Sequence, residues 1–588
     1  MSSIDRRRLV GRSRLSRRRV LGLGAGAGAA AFLVACGGSG DESGGTVAEA
    51  TREAGVVSGG QDTGEAPRPG GSLSVAWPLT PPLDPVANST YTAQRLASFV
   101  YPRLLKFKTD ADPRTAQAYE IIPDMAAAMP EVLDDGRRYV FTLRPNVIGH
   151  AKPPLNGRPY DAEDVKASFE RFIAEPRNPN RGAFASAGVE GVETPDQNTV
   201  VFRLARPFAP FLTMIAAPQY LWVMPKEAGN GFDPARDMAG AGPFVFESLE
   251  PDIAIRFRKH PDFYDAPKPY VDSFTLPIVT DSPSRFAQFQ AERLDIGEPS
   301  YENVLDLQSS NPDATVIKFP STTFPLVYTQ QRGNSVFRDP RIRQALSLAI
   351  DRDALLALTY GGEGWWQNIV PVNMGRWWTD PKDPASRPST RWFGTGDRDQ
   401  DLAEAVSLLE AAGYNERRKL DFKYHFTNNG YGDTHNQWAE ATQGFLKETG
   451  IFEPSVTIAD YRSEWLGGPN LWYGGIPENS VGFGLMTIFS DPHDYVYNML
   501  HSASPRNQIG LQDPQMDALV EKEVATLGQE ERMTVIKEIV ARANDQALYA
   551  PVMIGPAHFA LQPWVKGFTL SITYGWATES FMNTFVTR

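Results

Sequence analysis

The sequence predicts an α/β protein with more than one lobe, because strand patterns alternate with helical patterns along most of the chain. The chain has 588 residues, which is more than a single hydrophobic core supports. Its 41% of hydrophobic and 22% of charged residues are typical of globular domains. No tandem repeat of fixed period is present, so the pattern does not favour a solenoid or a propeller.

Residues 1–35 have the composition of an export signal. Ser16 precedes Arg17–Arg19, and the Gly/Ala-rich apolar run that follows ends at Leu33-Val34-Ala35-Cys36. The arginines resemble a twin-arginine signal, and Leu33–Cys36 resembles a bacterial lipobox. The apolar run is shorter than the ~20 residues needed to span a bilayer, which disfavours an uncleaved membrane helix. We therefore expect export, with lipid on Cys36 anchoring the protein to the outer face of the cell membrane.

Charge and cysteine content exclude several classes of function. Residues 1–35 contain eight arginines and one aspartate, so the rest of the chain is more acidic than the formal net charge of -12. An acidic surface argues against binding to nucleic acid. Cys36 is the only cysteine, so its lipidation leaves none for a disulfide, a thiolate nucleophile or a zinc–thiolate site.

Residues 36–70 are predicted to form a flexible linker. They are mostly Gly, Ser, Glu, Asp and Thr, with few large apolar side chains. Such a segment cannot bury enough surface to offset its chain entropy. The folded body is therefore expected to begin at about residue 71, after this linker.

The first part of the body is predicted to alternate strands and turns with helices. A turn at Leu83-Asp84-Pro85 precedes an apolar helical stretch over 91–105. Strands are predicted over 71–77, 136–144, 199–204 and 253–257. A helix is predicted to begin after Asp161 as N-cap, with Glu163 and Asp164 in its first turn. Its buried stripe is predicted to be Val165, Phe169, Phe172 and Ile173.

Two further helices are predicted in the second half of the chain. Pro340 suits a first helical position and starts a helix within 339–352. Another helix is predicted over 401–412, ending at Gly413. The pairs Trp365–Trp366 and Trp377–Trp378 lie in a Gly/Pro/Asn-rich region and are predicted to be in loops.

No catalytic or metal-binding constellation is evident in the sequence. Gly-x-Ser-x-Gly and Ser-x-x-Lys motifs are absent, and none of the seven histidines has metal-ligand spacing. The densest polar cluster, Asp491-Pro492-His493-Asp494, is interpreted as a proline turn with solvated polar residues rather than a metal site. We expect no catalytic residue, no metal and no cofactor.

Several stretches, in order, resemble the extracytoplasmic solute-binding proteins of peptide/nickel-type ABC importers, solute-binding protein family 5. The most specific are Tyr-Asp-Ala-Glu-Asp-Val-Lys-Ala-Ser-Phe-Glu-Arg at 160–171 and the helix at 339–352. The other matching stretches are 83–85, 143–145, 241–244, 259–264, 268–272 and 563–567. The matches cover nearly everything after residue 70.

The resemblance implies a two-lobe periplasmic-binding-protein-like α/β fold of class II, cluster C type, with an extra subdomain on lobe I and a hinge between the lobes. The implied ranges are 71–110, 205–327 and 555–588 for lobe I, 111–204 for the extra subdomain and 328–554 for lobe II. Hinge crossings are expected near 326–329 and 552–554. The family also implies a monomer that encloses a ligand, performs no reaction and delivers the ligand to ABC permease transmembrane subunits.

The resemblance places ligand contacts between the lobes. The implied contacts are Ser89, Thr90, Tyr91, Glu298, Tyr328, His435, Trp465, Leu485, Met486, Ile488 and Asp491. Peptide-binding members carry an aspartate in an Ala-Asp-Tyr-x-acidic-Pro stretch, where it pairs with the peptide's α-ammonium. With Asp491–Pro492 as anchor, Ile488 takes the place of that aspartate.

This departure leaves the ligand open at the level of sequence. A buried ammonium needs a carboxylate partner, which Asp491, Asp494 or Glu298 would have to supply. Peptide is the ligand expected from the family, and an oligosaccharide or another non-peptide solute is the alternative. The paired tryptophans offer flat faces to sugar rings. A membrane-anchored hydrolase is a third reading, and a receptor that presents its ligand to a sensor instead of a permease is a fourth.

Overall fold

The computed structural model describes residues 57–58, 66–109, 120–427, 430–468, 471–473, 475–569 and 578–588. The predicted export signal, Cys36 and most of the predicted linker lie outside these residues. Within the linker, Val57–Ser58 forms a short strand paired with Val316 and Ile317. In the described part of the chain, no helix has the length and apolar character needed to cross a membrane.

The described residues form strands β1–β23 and helices α1–α14. The strands are Val57–Ser58, Ser72–Ser74, Leu105–Phe107, Ile121–Pro123, Glu131–Leu133, Arg138–Thr142, Val189–Asp196, Thr199–Leu204, Phe244–Glu250, Ala254–Lys259, Ser273–Pro277, Ile296–Gly297, Thr315–Pro320, Thr323–Thr329, Trp365–Trp366, Leu420–Thr427, Phe452–Ala459, Ser480–Thr487, Tyr549–Pro551, Met553–Ile554, Pro556–Leu561, Val565–Lys566 and Phe585–Val586. The α-helices are Tyr91–Val100, Ala162–Ala174, Ala183–Ser186, Phe211–Ala216, Ser282–Gln290, Tyr301–Ser310, Pro340–Ala349, Arg352–Tyr360, Arg387–Thr390, Arg398–Ala411, Asp433–Lys447, Pro492–Leu500, Pro514–Ala525 and Gln529–Asp545.

Four sheets of four or five strands carry the fold. Two belong to lobe I, with strand orders β2-β11-β10-β9 and β1-β13-β21-β12. The extra subdomain contributes β5-β6-β8-β7, and lobe II contributes β17-β16-β18-β14-β19. Parallel pairs (β2 with β11, and β16 with β17 and β18) occur beside antiparallel ones. The sheets β2-β11-β10-β9 and β17-β16-β18-β14-β19 are therefore mixed, whereas the other two are antiparallel throughout.

The chain crosses between a lobe I sheet and the lobe II sheet at two adjacent points. Strand β13 leads into β14 through Ser321–Thr322, and β20 leads into β21 through Gly555. The backbone N–H of Ser321 donates a 3.0 Å hydrogen bond to the carbonyl of Gly555, so the two crossings are joined. The segments named above as expected crossings, 326–329 and 552–554, lie within or beside strands on the lobe II side of these points.

The hydrophobic cores are divided between the lobes in the same way as the sheets. Lobe I and the extra subdomain share one hydrophobic cluster, in which Phe99 and Phe274 are continuous with Phe141 and Phe202. Lobe II has a cluster on each face of its five-stranded sheet. Successive residues of a strand point to opposite faces, which places Val327 in one cluster and Leu326 and Tyr328 in the other.

Helix α2 confirms the predicted N-terminus but not the whole predicted stripe. The Asp161 carboxylate accepts the N–H groups of Glu163 and Asp164, and the Asp164 carboxylate accepts the N–H of Asp161 at 2.9 Å. This reciprocal arrangement is a capping box. Val165, Phe169 and Phe172 are buried, but Ile173 is 43% exposed, so the buried stripe ends one residue earlier than predicted.

Other boundaries differ from the sequence prediction. Helix α1 ends at Val100, and Leu105 begins β3, because Pro102 has no N–H to continue a helix. Helix α7 begins at Pro340 as predicted, with Asp339 as N-cap. Helix α10 begins at Arg398 rather than Asp401, because the side chain of Asp397 caps it. The carboxylate of Asp401 instead accepts the backbone N–H groups of Thr395 and Gly396.

Trp365, Trp366 and Trp377 lie in short regular elements, contrary to the loop prediction, whereas Trp378 follows the last of these elements and is a loop residue as predicted. Trp365–Trp366 forms β15 and pairs with β20 next to the crossing. Trp377 ends a 3₁₀ turn over Val372–Trp377 and is buried in a lobe II cluster. The local Gly and Pro residues indicated loops, but pairing with a strand distant in sequence fixes the backbone.

Candidate ligand-binding cleft

Two cavities of about 730 Å³ and about 1010 Å³ lie between lobe I and lobe II. Thr487 and Ile488 line both, so the cavities are adjacent parts of the region between the lobes. The smaller one, the hinge cavity, is bounded by both crossings through Ser321–Thr323 and Pro556–Phe559. The larger one, the subdomain cavity, lies between residues 179–220 and 487–525. A cleft of this size between two lobes is the usual geometry of a small-molecule or peptide site.

Aromatic rings form much of the wall of the hinge cavity. Phe319 and Phe559 stack with ring centroids 5.1 Å apart on neighbouring strands of lobe I. Tyr301 at the start of α6 meets Tyr360 at the end of α8 edge-on, at 6.2 Å. Since α6 belongs to lobe I and α8 to lobe II, this pair joins the two sides of the cleft.

Arg95 and Glu298 form the charged part of the hinge cavity. The Arg95 guanidinium lies over the rings of Trp77 and Tyr91, at 4.9 and 5.0 Å. Its Nη2 is 3.5 Å from Oε1 of Glu298. Burial lowers the pKa of Arg95, while Tyr91 and Glu298 act in the opposite direction. Glu298 is thus already balanced by a cation of the protein.

His558 supplies a neutral imidazole to the same cavity. Burial, with Lys318 nearby, lowers its pKa to about 4, so the ring is uncharged at neutral pH. Its Nδ1 is buried without a hydrogen-bond partner in the described part of the chain. A neutral imidazole in this position is able to exchange a hydrogen bond with a polar ligand.

The subdomain cavity is closed at its base by contacts between the lobes. The hydroxyl of Ser490 donates to Oε1 of Gln219 at 2.8 Å. The backbone N–H of Ala209 donates to the carbonyl of Val524, also at 2.8 Å. The ring of Phe208 meets that of His493 edge-on at 5.5 Å. These contacts hold lobe II against the part of lobe I that follows the extra subdomain.

Asp491 belongs to a buried ion-pair network and not to the cleft surface. It accepts hydrogen bonds from two guanidinium nitrogens of Arg532 and from the backbone N–H of His493, the second residue of α12. Arg532 also donates to Glu523 at 2.6 Å, and His493 contacts the other oxygen of Glu523 at 2.7 Å. Burial alone would raise the pKa of Asp491, but Arg532 outweighs it and the pKa is lowered.

Asp494 differs from Asp491 in its surroundings. It lines the subdomain cavity from the first turn of α12 and is partly exposed. Burial and the nearby charge of Asp491 raise its pKa to about 7. The interpretation of 491–494 as a proline turn with solvated polar residues is wrong, because Asp491 caps α12, Pro492 occupies its first position, and Asp491 and His493 are buried. Among the described residues, no group of three or more His, Asp or Glu side chains is arranged to hold a metal.

The predicted contact residues fall into three groups. Tyr91, Glu298 and Ile488 line the hinge cavity, and Ser89 and Ile488 line the subdomain cavity. Leu485 and Met486 line a small third cavity of about 40 Å³. Five others line none of the three cavities: Thr90 precedes α1 as its N-cap, Tyr328, His435 and Trp465 lie in the lobe II core, and Asp491 is held by Arg532.

The core positions of these residues have specific causes. The Tyr328 hydroxyl donates to the carbonyl of Leu471 at 2.5 Å, and its ring packs on Gly482 of the neighbouring strand. Trp465 stacks on Trp472 and donates to the Tyr431 hydroxyl at 3.1 Å. No tryptophan of the described residues lines either of the two larger cavities, so the stacking surface invoked for an oligosaccharide is not found there.

Sequence reasoning missed several lining residues. Arg95, Tyr301, Tyr360 and His558 come from four different elements and meet only in the folded protein. Their local patterns are those of ordinary amphipathic helices and a strand, so no local signal distinguishes them. The sequence predicts Asp494 only as one of three possible partners for an ammonium group and not as a contact residue.

The fold and the cleft together define a two-lobe binding protein with its ligand site between the lobes. Residues 120–507 match the family described as bacterial extracellular solute-binding proteins, family 5 Middle. This chain belongs to that family. The match confirms the resemblance inferred from the ordered sequence stretches.

Relatives of known name cover most of the chain. Heme-binding protein A of Haemophilus influenzae is 27% identical over 503 residues, 80% of this chain and 84% of that protein. The dipeptide-binding protein of Escherichia coli is 27% identical over 393 residues, 63% of this chain and 68% of that protein.

Solved structures confirm the two-lobe α/β fold. An ABC transporter substrate-binding protein of Listeria monocytogenes superposes with a TM-score of 0.72 at 21% identity, covering 89% of this chain and 100% of that one. The oligopeptide-binding protein of Bacillus subtilis in complex with a nonapeptide gives 0.66 at 18% identity, with 89% and 100% coverage.

Proposed function

We propose that this protein is the substrate-binding component of an ABC importer and captures peptides in the cleft between its lobes. The observation that carries the proposal is the pair of adjacent cavities, about 730 and 1010 Å³ in volume, that share Thr487 and Ile488 in their linings. Relatives named as dipeptide- and di/tripeptide-binding proteins support the ligand class. Both cavities meet at Ile488, so an extended ligand is able to occupy both.

The proposed contacts are those that line the cleft. Tyr91, Tyr301 and Tyr360 supply flat surfaces for apolar side chains, and His558 supplies a hydrogen-bonding group. Ser89 and Gln219 border the subdomain cavity from the lobe I side. Binding is expected to favour the form in which the lobes approach, since a ligand that touches both has a higher affinity for the closed state.

The cellular arrangement is also a proposal. Lipid on Cys36 would hold the protein at the outer face of the cell membrane, with residues 37–70 as a linker. A monomer would then deliver its ligand to the transmembrane subunits of a permease. The hinge is assigned to Ser321–Thr322 and Gly555, which moves the proposed start of lobe II from residue 328 to residue 323. The other lobe and subdomain boundaries remain those given from the sequence.

Thermal melting of the exported protein in detergent tests the ligand class. One pool contains short peptides and the other contains oligosaccharides of similar mass. A ligand at about 100 times its dissociation constant adds about 2.7 kcal/mol, which shifts the melting temperature by some degrees. A shift with peptides alone supports the proposal. A shift with oligosaccharides alone replaces peptide by the alternative ligand, and turnover of either pool would indicate a hydrolase.

A further inference from the structure

The carboxylates that line the cleft differ in whether the protein already balances them. Glu298 lies 3.5 Å from Arg95. Glu302 is exposed in the first turn of α6, and Glu521 is 74% exposed and 3.8 Å from His501. Only Asp494, among the described lining residues, combines partial burial with a carboxylate that accepts no hydrogen bond and forms no ion pair.

Asp494 lies in the same cavity as Ile488, the residue that takes the place of the family's aspartate. Both residues line the subdomain cavity, and Ile488 also opens into the hinge cavity. Ile488 offers only an apolar side chain at the junction, so it cannot balance a ligand charge there. The nearby carboxylate of Asp491 is fully used by Arg532 and by the N-terminus of α12. Asp494 is therefore the carboxylate of this region that remains for a ligand.

We propose that Asp494 is a specificity-determining residue that pairs with a cationic group of the ligand, an ammonium or guanidinium held in the subdomain cavity. The inference rests on the proposed peptide function. It adds to that function that the cationic group of the ligand lies in the subdomain cavity. A partly buried carboxylate forms a strong, charge-assisted hydrogen bond with such a group. The cation is supplied either by a peptide N-terminus or by a basic side chain.

The electrostatic surroundings make this pairing dependent on pH. Asp494 has a pKa of about 7, so it is partly protonated at neutral pH and loses its proton when a cation arrives. The charged and titratable groups around it are Asp491, His493, Glu523, Arg506 and Arg532 of lobe II, together with Arg206, His501 and Glu521 at the cavity wall. Cation binding is expected to weaken as pH falls below about 7 and to release a proton there.

Three peptides distinguish the sources of the charge: Ala-Ala-Ala, N-acetyl-Ala-Lys-Ala amide and N-acetyl-Ala-Ala-Ala amide. Their binding to the exported protein is measured by calorimetry at about pH 6 and about pH 8, in two buffers of different ionisation enthalpy. The variant is Asp494→Asn, which keeps size and helix position. The matched control is Asp399→Asn, an exposed carboxylate in the first turn of α10 that lines neither of the two cavities.

We expect at least one cationic peptide to bind wild type and Asp399→Asn roughly tenfold or more tightly than the neutral peptide at about pH 8. This preference and the proton release at about pH 6 should disappear in Asp494→Asn. Equal affinities of all three peptides for wild type would overturn the role of Asp494 while leaving peptide binding intact. A preference that survives in Asp494→Asn would overturn it too. Binding of none of the three would contradict the proposed function itself.

Discussion

The backbone N–H of Ile488 donates a 3.0 Å hydrogen bond to the carbonyl of Thr322, in the segment that crosses between the lobes. Both residues line the hinge cavity. The side chain at the junction of the two cavities is therefore fixed relative to one hinge strand. A charged side chain at position 488 should therefore change the affinity for a charged ligand directly, without a shift of the backbone.

Ile488→Asp should raise the affinity for peptides with a free N-terminus over their N-acetylated forms. Ile488 is 3% exposed and lines both cavities, so a carboxylate there would face a bound ammonium in a poorly solvated site. The preference is expected to be roughly tenfold, the effect of about 1.4 kcal/mol. Calorimetric titration with each member of an acetylated and a free peptide pair measures it.

Ile488→Asn serves as the control, since it is polar and of similar size but uncharged. It should bind the two peptides with equal affinity. If Ile488→Asp also binds them equally, with melting temperature unchanged, Ile488 does not occupy the position of the family's aspartate.

Asp491→Asn should destabilise the protein by about 3–5 kcal/mol at neutral pH, because it leaves the buried charge of Arg532 half unpaired. The pKa of Asp491 is lowered in the folded protein, so its contribution is complete above the unfolded pKa of about 4. That contribution is lost as pH falls through the folded pKa. Urea unfolding of wild type and variant at several pH values should show the difference shrinking only in acid.

The pair Glu193–Arg203 provides the comparison for Asp491. Its side chains are 53% and 46% exposed, and it lies on the surface of the extra subdomain. Glu193→Gln should leave the urea midpoint almost unchanged, because water screens an exposed pair. Similar losses for the two variants would mean that the Asp491–Arg532 pair is solvated in solution.

Gln219→Ala should lower ligand affinity about fivefold through loss of the 2.8 Å hydrogen bond from Ser490 across the cleft, a contribution of about 1 kcal/mol. The effect should be absent when Ser490→Ala is already present, which a double-mutant cycle shows. Thr534→Ala, which removes an exposed hydroxyl bonded within α14, is the control. Unchanged affinity in Gln219→Ala would mean that this contact does not contribute to the liganded form.

Gly482→Ala should destabilise lobe II by roughly 1–3 kcal/mol. A Cβ on Gly482 would lie 2.2 Å from the ring of Tyr328, which is fully buried and held by its bond to Leu471. Gly444→Ala is the opposite case, since it is exposed in α11 with nothing within 4 Å. It should stabilise by about 0.5–1 kcal/mol. Equal unfolding midpoints for the two variants would show that the Tyr328 ring moves aside.

Local chemistry explains which elements were predicted correctly. The N-termini of α2 and α7 follow from Asp161 and from Asp339–Pro340, whose side chains act on backbone atoms a few residues away. The end of α1 was predicted too late because the apolar pattern continues through Leu104–Leu105, although these residues enter a strand and not a helix. β15 was missed because its partner, β20, lies far along the chain.

The candidate site was predictable only in part. The resemblance placed Tyr91, Glu298 and Ile488 at the cleft, because family order sets which turns face it. The same reasoning placed Tyr328 and Trp465 there, whereas packing against Gly482 and Trp472 turns both side chains into lobe II. A buried aromatic residue and a ligand-facing one have the same local sequence pattern, and only the packing of neighbouring strands separates them.

The sequence by itself determined the α/β class and the family, because capping residues, turns and apolar periodicity act over short distances and recur in a fixed order. The tertiary structure decided which charges are available in the cleft. Asp491 and Asp494 are three residues apart, yet Arg532, brought from α14, neutralises the first and leaves the second facing the cavity. Electrostatic balance depends on distances between elements, and those distances exist only in the folded chain.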